Sequence, residues 1–443
     1  MFSRDKYLNQ LIEKENNHLI KLITGIRRSG KSFLLNEIFY NYLLSKKIKK
    51  SQIIKFAFDS EEDISLLDKY LPDQETAYVK PKDKQKVVNN RKFMLFIKEK
   101  TRIEQPYYLL LDEIQNLDDF VRVLNGFLRH QNFDIYVTGS NSNLLSSQVN
   151  TEFNDRCSRI HLLPLSFIEY LSGVKTDKRD SFDEYIRYGG IPIVQLEKSD
   201  ESKSEHARSI YMETYMKDVK DRHPQVNVSD MDATLRTIAS MISAPINPTK
   251  IENTFKSTLK ESLSNGVIEN YITWFEEAYL LNKVFRYNIK GRNYIGTPYK
   301  IYFEDIGIRN AILNFRDVDE TDLIENIVFN ELRYRGFNVD VGEVIIKAKT
   351  DRLDVNGKPI YADKKTEVDF VANKGNKTYY VQVALKIDTE QKENQEYESI
   401  RNIPDSFKKV VIVKEQGKPY YTNEGFLRIS LLDFLTDMDS LDL

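Results

Sequence analysis

The chain has 443 residues, which is enough for roughly two to four domains of about 100–200 residues each. Its 65 Lys and Arg residues nearly balance its 67 Asp and Glu residues, so contact with nucleic acid would require a local basic patch. A single cysteine, Cys157, excludes an internal disulfide and a multi-cysteine metal site. The N-terminus is charged, and no uncharged run approaches the ~20 apolar residues that span a bilayer. We therefore expect a cytoplasmic protein without membrane contact.

Residues 25–32, GIRRSGKS, match the phosphate-binding pattern G-x-x-x-x-G-K-[ST] at every fixed position. The preceding HLIKLIT predicts a buried strand, and the following FLLNEIFYNYLL has the apolar spacing of a helix. In such a strand–loop–helix unit, backbone N–H groups and the helix N-terminus surround phosphate oxygens. The sequence thus predicts a nucleotide site in which Lys31 reaches the β- and γ-phosphates and the Ser32 hydroxyl binds Mg²⁺.

The expected contacts to the nucleotide come from the whole loop and the first helical residues. This predicted set is Gly25, Arg27, Arg28, Ser29, Gly30, Lys31, Ser32 and Phe33. For Arg27 and Arg28 the sequence leaves two alternatives: contact with phosphate, or a structural pairing with an acid elsewhere in the fold.

A second apolar run, YYLLLDEIQNL, ends in an acidic pair at residues 112 and 113. Asp112 is the predicted Mg²⁺ ligand, directly or through water, and Glu113 the predicted group that polarises the attacking water. The alternative is an ordinary strand that ends in a solvated turn. Adjacent acids at the end of a buried strand are costly unless a cation or solvent compensates them, which favours the metal site.

A third strand, FDIYVTGSNSNLL, ends in the polar residues 138–141. In a parallel sheet these residues would lie beside the acids of the preceding strand. Ser140, with Asn141 second, is predicted to orient water or to contact the γ-phosphate. These side chains could equally cap the next helix, and the two roles are compatible.

Several stretches resemble a family of prokaryotic AAA-like ATPases that carry a C-terminal domain of unknown function. They are LITGIRRSGKSFLL, LLLDEIQNL, YVTGSNSNLLS, LLPLSFIEYL, YGGIP and KIYFEDIGIRNAIL, in this order. The resemblance implies an α/β P-loop NTPase core of the additional-strand type, with a parallel sheet and with the catalytic Glu after the Mg²⁺-binding Asp. It also implies an arginine finger, which matches Arg156, although Asp155 replaces the family's usual glycine.

That finger would act within its own subunit or, through self-association, in a neighbouring one. The alternative for Arg156 is a surface arginine that pairs with Asp155.

The pattern predicts four domains: an ATPase core at 1–165, a helical lid at 166–224, a winged-helix-like domain at 225–300 and a C-terminal α/β domain at 301–443. Glycines and a proline at 188–192 indicate a helix stop within the lid. Three helix candidates and a hairpin suggest the winged helix, whose third helix could lie in a groove of double-stranded DNA. Packing against the ATPase core or against a protein partner is the alternative.

The C-terminal domain resembles the restriction-endonuclease fold. The matched residues are Glu325 on a helix, Asp369 on a strand and Gln382 on the next strand, whereas Ala384 stands where that fold has a lysine. Lys386 lies on the same strand face and could substitute. We expect a catalytically silent domain; a relaxed nuclease and a different fold are the alternatives.

Together these features predict an Mg²⁺-dependent ATPase that couples ATP binding and hydrolysis to rearrangement of the winged helix and the C-terminal domain. A nucleotide-dependent binding switch with slow turnover is one alternative, and an ATP-gated DNA nuclease is another.

Overall fold

The structure, a computed structural model, describes residues 2–70, 78–79, 87–139, 155–258, 263–316, 320–353, 357 and 359–443. It divides into two compact units. The first unit comprises Ser3–Pro164 and Glu277–Tyr279, and the second comprises Met1–Phe2, Leu165–Glu276 and Leu280–Leu443. Within the described residues no helix is both long enough and apolar enough to cross a bilayer.

The first unit is built on a five-stranded parallel sheet. Its strands are β1 (Ile20–Thr24), β2 (Ile53–Ala57), β5 (Tyr107–Asp112), β6 (Phe133–Thr138) and β7 (Cys157–His161), in the spatial order β2-β5-β6-β1-β7. A separate short hairpin consists of β3 (Tyr78–Val79) and β4 (Val87–Val88). Because every pair in the large sheet is parallel, the carboxyl ends of all five strands meet at one edge. β6 stands between β1, which precedes the GIRRSGKS motif, and β5, which ends in the acidic pair.

Helices cover both faces of this sheet. They are α1 (Asp5–Glu13), α2 (Lys31–Phe33), α3 (Tyr40–Ser45), α4 (Glu61–Ser65), α5 (Asn90–Lys100) and α6 (Phe120–Leu128), and a π-helical segment, Leu34–Phe39, joins α2 to α3. One face packs apolar strand residues such as Leu109 and Val137 against the aromatic residues of α5. The other face holds a buried ion pair between Lys21 and Asp134, which also accepts a 2.8 Å hydrogen bond from the Tyr136 hydroxyl.

The second unit begins with a helical stretch, followed by a mixed sheet. Its helices are α7 (Phe167–Leu171), α8 (Lys178–Tyr188), α9 (Pro192–Gln195), α10 (Asp200–Ser209), α11 (Lys217–Arg222), α12 (Val228–Ser240), α13 (Pro248–Thr258), α14 (Asn265–Glu277), α15 (Ile306–Ile312), α16 (Glu320–Tyr334), α17 (Glu390–Arg401) and α18 (Leu431–Thr436), with a π-helical segment at Ile210–Met216. Helix α8 ends at the predicted stop, where Gly189 has a positive φ of 71° and Pro192 opens the next helix.

The mixed sheet has eight strands in the order β14-β15-β13-β12-β11-β10-β8-β9. They are β8 (Leu281–Asn288), β9 (Asn293–Phe303), β10 (Asn338–Leu353), β11 (Pro359–Lys374), β12 (Lys377–Ala384), β13 (Lys408–Val413), β14 (Tyr420–Tyr421) and β15 (Leu427–Ser430). The β8–β9 hairpin follows three helices, as predicted for a winged helix. It also pairs in parallel with β10, so it shares one sheet with the C-terminal strands. The predicted boundary at residue 300 falls inside β9.

Two of the motifs that carried the family resemblance contact each other in this unit. The buried Asp305 carboxylate accepts hydrogen bonds from the backbone N–H groups of Gly190 (2.6 Å) and Ile308 (2.9 Å). The Asn310 amide donates to the carbonyls of Ile186 and Arg187. Burial raises the pKa of Asp305 to about 6, although the N–H donors oppose this rise. The motifs thus form a joint between α8 and α15.

Candidate functional site

The phosphate-loop motif lies between β1 and α2, at the carboxyl edge of the parallel sheet. Gly30 has a left-handed φ of 95° and immediately precedes the first helical residue, Lys31. Gly25 also has a positive φ, and a Cβ added there would lie 2.2 Å from the Leu162 carbonyl oxygen. A side chain at either position would strain the left-handed backbone or clash with a neighbouring carbonyl. This explains why the phosphate-binding motif has glycine at residues 25 and 30.

The lysine of the motif is buried and held by the loop itself. Lys31 is 4% exposed, and its Nζ donates to the carbonyl oxygens of Gly25 (2.9 Å) and Ile26 (3.0 Å). Ser29 is fully buried, and its Oγ has no hydrogen-bond partner among the described residues. A buried ammonium and an unsatisfied buried hydroxyl in one glycine loop suit an oxygen-rich anion such as a nucleotide phosphate.

The acidic pair lies where β5 ends, next to the end of β6. The Thr138 hydroxyl donates to the Asp112 carboxylate and accepts from the backbone N–H of Glu113 at 3.0 Å. Asn36 donates to the other Asp112 oxygen at 3.3 Å. Burial raises the pKa of Asp112, while hydrogen bonds from Thr138 and Ser32 oppose the rise. Ser32, the other predicted Mg²⁺ ligand, therefore lies close enough to Asp112 to influence the pKa of that carboxyl.

Glu113 adopts a left-handed backbone conformation with φ of 52°. Such a conformation costs a non-glycine residue on the order of 1 kcal/mol, so the surrounding structure must hold it. The Gln115 side chain donates to the Glu113 carboxylate. The backbone turn and this contact fix a carboxylate immediately after the metal-ligand position.

A third acid near the pair was not singled out by the sequence analysis. Asp59 follows β2, and the neighbouring Phe58 N–H donates to the Asp112 carbonyl at 3.0 Å. Burial and the charges of Glu113 and Asp112 raise the pKa of Asp59, whereas the charge of Arg27 opposes this. The available signal was positional, since Asp59 follows the apolar run IIKFAF, which ends on the same side of the sheet as the acidic pair.

The structure separates the two loop arginines. Arg27 is half-buried and interacts electrostatically with Asp59, while Arg28 is exposed and has a positive φ of 68°. Phe33 is 39% exposed on the first helical turn. Ser140 and Asn141 lie outside the described residues, and Thr138 is the described residue of that motif that contacts both acids.

Arg156 lies at the amino end of β7, whereas the phosphate loop lies at the carboxyl ends of the strands. It precedes β7, whose register pairs Cys157 with Ile20 and His161 with Thr24. The length of β1 therefore separates it from Gly25, a distance of about 20 Å for six residues at ~3.3 Å each. Its guanidinium is exposed and donates to the Asn125 side chain at 3.0 Å. This position does not bring Arg156 to the loop of its own chain, and a finger acting in a neighbouring subunit stays a prediction.

Comparisons with known proteins agree with this geometry. Residues 17–171 match the family model of an AAA domain, and residues 179–319 match that of a domain of unknown function, DUF8612. An uncharacterized protein of Haemophilus influenzae is 32% identical over 444 residues, which cover 98% of each chain. The chain therefore belongs to the same family as this Haemophilus influenzae protein.

A more distant relative and a solved structure extend the comparison. An uncharacterized protein of Methanocaldococcus jannaschii is 28% identical over 367 residues, covering 79% of this chain and 74% of that protein. A structure of the Aeropyrum pernix ORC1 protein in complex with DNA matches at 12% identity over 70% of this chain and 92% of that one. Its TM-score of 0.30 is too low to support an inference.

The AAA match and the five-stranded parallel sheet confirm an α/β P-loop NTPase fold for residues 17–171, hereafter the AAA-like domain. The comparisons identify neither a winged helix nor a restriction-endonuclease-like domain, so both stay predictions. The division into four domains, and the roles assigned to single site residues, also stay predictions.

The second unit contains a buried charged cluster built from three elements. Lys300 on β9 is 3% exposed, and its Nζ lies 2.9 Å from Glu325 on α16 and 2.6 Å from Glu367 on β11. The Tyr302 hydroxyl also donates to Glu325 at 2.5 Å. Asp369 accepts a 2.7 Å hydrogen bond from the Val383 N–H. Two of the predicted residues, Glu325 and Asp369, therefore interact with a lysine that the sequence motif did not contain.

The charged side chains of this cluster shift one another's pKa values. Burial alone would lower the pKa of Lys300, but the carboxylates of Glu325, Glu367 and Asp369 outweigh it and raise that pKa. Burial and the Glu325 charge raise the pKa of Asp369 well above its usual range. Among the described residues, no group of three or more Asp, Glu, His or Cys side chains has a geometry that could hold a metal ion.

The other two predicted positions point elsewhere. The Gln382 amide nitrogen lies 3.5 Å from Glu396 on α17. Lys386, the predicted substitute for the missing lysine, is 60% exposed and pairs with Asp388 at 2.8 Å. No local signal could have found Lys300, because it lies 84 residues before Ala384 and enters the cluster through a different strand.

Proposed function

We propose that the AAA-like domain is an Mg²⁺-dependent ATPase centre. The observation that carries the proposal is the convergence of Lys31, Ser32, Asp112, Glu113 and Thr138 at one edge of the sheet. These side chains come from three separate segments and provide a cation, two hydroxyls and two carboxylates next to a glycine loop. That set matches the parts required to position a nucleoside triphosphate and an attacking water.

Each residue has a role that its chemistry supports. Lys31 and the N–H groups at the start of α2 would bind the phosphates, and Ser32 with Asp112 would hold Mg²⁺. The bound metal neutralises charge on the phosphate oxygens. Glu113 follows Asp112 directly and has a left-handed backbone conformation, and it would accept a proton from the attacking water. Thr138 keeps both acids in register.

The test is steady-state ATP hydrolysis by the full chain, comparing wild type with Glu113→Gln. We expect the rate to fall at least about 100-fold, while nucleotide binding persists because the amide keeps the shape of the side chain. Glu104→Gln, an exposed acid of the same unit, is the matched control and should keep the wild-type rate.

Two results would change the proposal. Equal turnover in wild type and Glu113→Gln would remove Glu113 from the mechanism. Tight ATP binding by wild type without turnover would instead favour the nucleotide-dependent binding switch.

The same assay with double-stranded DNA addresses the partner. Helices α12, α13 and α14, with the β8–β9 hairpin, are the segment in which we propose DNA contact. Turnover that rises with DNA supports a DNA-coupled ATPase. If DNA does not change the rate of turnover and Glu113→Gln still abolishes it, the result favours a protein partner or self-association.

We also infer that the cluster around Lys300 is not a nuclease centre. The Lys300 ammonium already pairs with Glu325, the helix carboxylate that a nuclease would use for metal, and this supports a silent domain. Plasmid DNA incubated with Mg²⁺ or Mn²⁺ should remain intact with wild type and with Asp369→Ala alike. Nicking by wild type that Asp369→Ala abolishes would establish the ATP-gated nuclease instead.

A further inference from the structure

Arg4 is a buried arginine beside the phosphate loop that the loop motif does not include. It immediately precedes α1 and is only 4% exposed. Its backbone carbonyl accepts from the N–H groups of Tyr7 and Leu8, both at 3.0 Å, so the first turn of α1 fixes its position. Its guanidinium lies 5.4 Å from the centre of the Tyr7 ring.

The guanidinium joins two segments that are far apart in sequence. Its Nη2 donates to the carbonyl oxygens of Ser29 (2.6 Å) and Leu163 (2.9 Å), and its Nη1 donates to the Pro164 carbonyl (3.4 Å). We propose that Arg4 is a positioning residue for the nucleotide phosphates, acting through the Ser29 carbonyl. This inference rests on the proposed nucleotide site.

The mechanism follows from the planar peptide unit. The Ser29 carbonyl and the Gly30 N–H belong to the same trans peptide, so they point in opposite directions. Because Arg4 holds the Ser29 carbonyl, the Gly30 N–H points away from Arg4 and would face the nucleotide phosphates. Gly30 has φ of 95° and could rotate freely without such an anchor. Arg4 thus fixes the direction of one phosphate-binding donor.

The other end of the loop, at Gly25, contacts the same segment, residues 162–164, that accepts hydrogen bonds from Arg4. A Cβ at Gly25 would lie 2.2 Å from the Leu162 carbonyl, and the Leu162 N–H donates to Thr24 at 2.8 Å. The Tyr7 hydroxyl accepts from the Leu163 N–H at 3.2 Å. Residues 162–164 and the start of α1 therefore form a rigid support for both ends of the loop.

The test compares Arg4→Met and Arg4→Lys with wild type in the full chain. Methionine keeps an apolar stem against Tyr7 but removes every donor, so the dissociation constant for Mg-ADP should rise at least about tenfold. Lysine keeps the charge but not the forked donors, and a rise of about threefold is expected. Arg129→Ala, which removes an exposed arginine of the same unit, is the control.

Affinities are measured well below the thermal midpoint of each variant, so that lost stability alone does not change them. Folded Arg4→Met that binds Mg-ADP within about twofold of wild type overturns the proposal and leaves the ATPase assignment intact. If Arg4→Met does not fold, Arg4→Lys decides, and wild-type affinity in that variant also overturns it. Failure of wild type and Arg129→Ala to bind nucleotide would instead overturn the proposed function.

Discussion

A single hydroxyl group organises the acidic side of the candidate site. Thr138 is fully buried, and its Oγ1 donates to Asp112 while accepting from the Glu113 N–H. One hydroxyl supplies one donor and two acceptor positions, so the two bonds are made by the same atom. The proposed metal ligand Asp112 and the proposed water-activating Glu113 are therefore linked through one side chain of the neighbouring strand.

Thr138→Val tests this alignment at nearly constant shape. Valine removes both hydrogen bonds and leaves Asp112 and the Glu113 N–H without them. We expect ATP hydrolysis to fall at least about tenfold and the free energy of unfolding to fall by about 1–3 kcal/mol. Thr138→Ser restores the hydroxyl and should recover most of the rate. Wild-type hydrolysis by Thr138→Val would contradict the role of Thr138.

The joint between α8 and α15 depends on close backbone contact. A Cβ at Gly307 on α15 would lie 1.9 Å from the Tyr188 carbonyl oxygen, and one at Gly190 would lie 2.2 Å from the Leu165 carbonyl oxygen. Backbone atoms cannot give way as a flexible side chain can. Glycine is therefore required here by packing, and the two motifs are linked parts of one contact.

Two helical glycines provide a matched test of this joint. Gly307→Ala forces the two backbones apart, and we expect a loss of about 3 kcal/mol or more in the stability of the second unit. Gly126→Ala on α6 has open space around the new Cβ. It should raise the stability of the first unit by about 0.5–1 kcal/mol, because alanine favours helix over glycine. Thermal unfolding of both variants is the measurement; similar midpoints would refute the close contact.

On the scale of the whole chain, two units each carry their own hydrophobic core. The candidate nucleotide site belongs entirely to the first unit, since its phosphate loop, acidic pair and Arg4 all lie within Ser3–Pro164. A ligand that binds only the folded state stabilises that state by mass action. Nucleotide binding is therefore linked to unfolding of the AAA-like domain.

We expect Mg-ADP to raise the thermal midpoint of the full-length chain. At a concentration 100 times the dissociation constant, the added stability is about 2.7 kcal/mol. Lys31→Ala should abolish the shift, because it removes the ammonium that we propose binds the phosphates. Lys69→Ala, an exposed lysine of the same unit, should keep it. An equal shift in Lys31→Ala would place nucleotide binding elsewhere in the chain.

The sequence by itself determined those features whose information is local. The phosphate loop, its flanking strand and helix, and the acidic pair are contiguous motifs, because glycine conformation and strand burial depend on near neighbours. The helix stop at 188–192 was equally local. Parallel strand order also made it predictable that Thr138, the polar residue that ends β6, would lie beside the acids.

Only the tertiary structure decided the contacts that join distant segments. Arg4 reaches Ser29 and Leu163 through folding of the first unit, and Lys300 reaches Glu325 and Glu367 through a different strand from the one the motif suggested. Arg156 lies at the amino ends of the strands, away from the phosphate loop, because β7 runs parallel to β1. Sheet order and register set these positions, and they result from packing over the whole unit rather than from spacing along the chain.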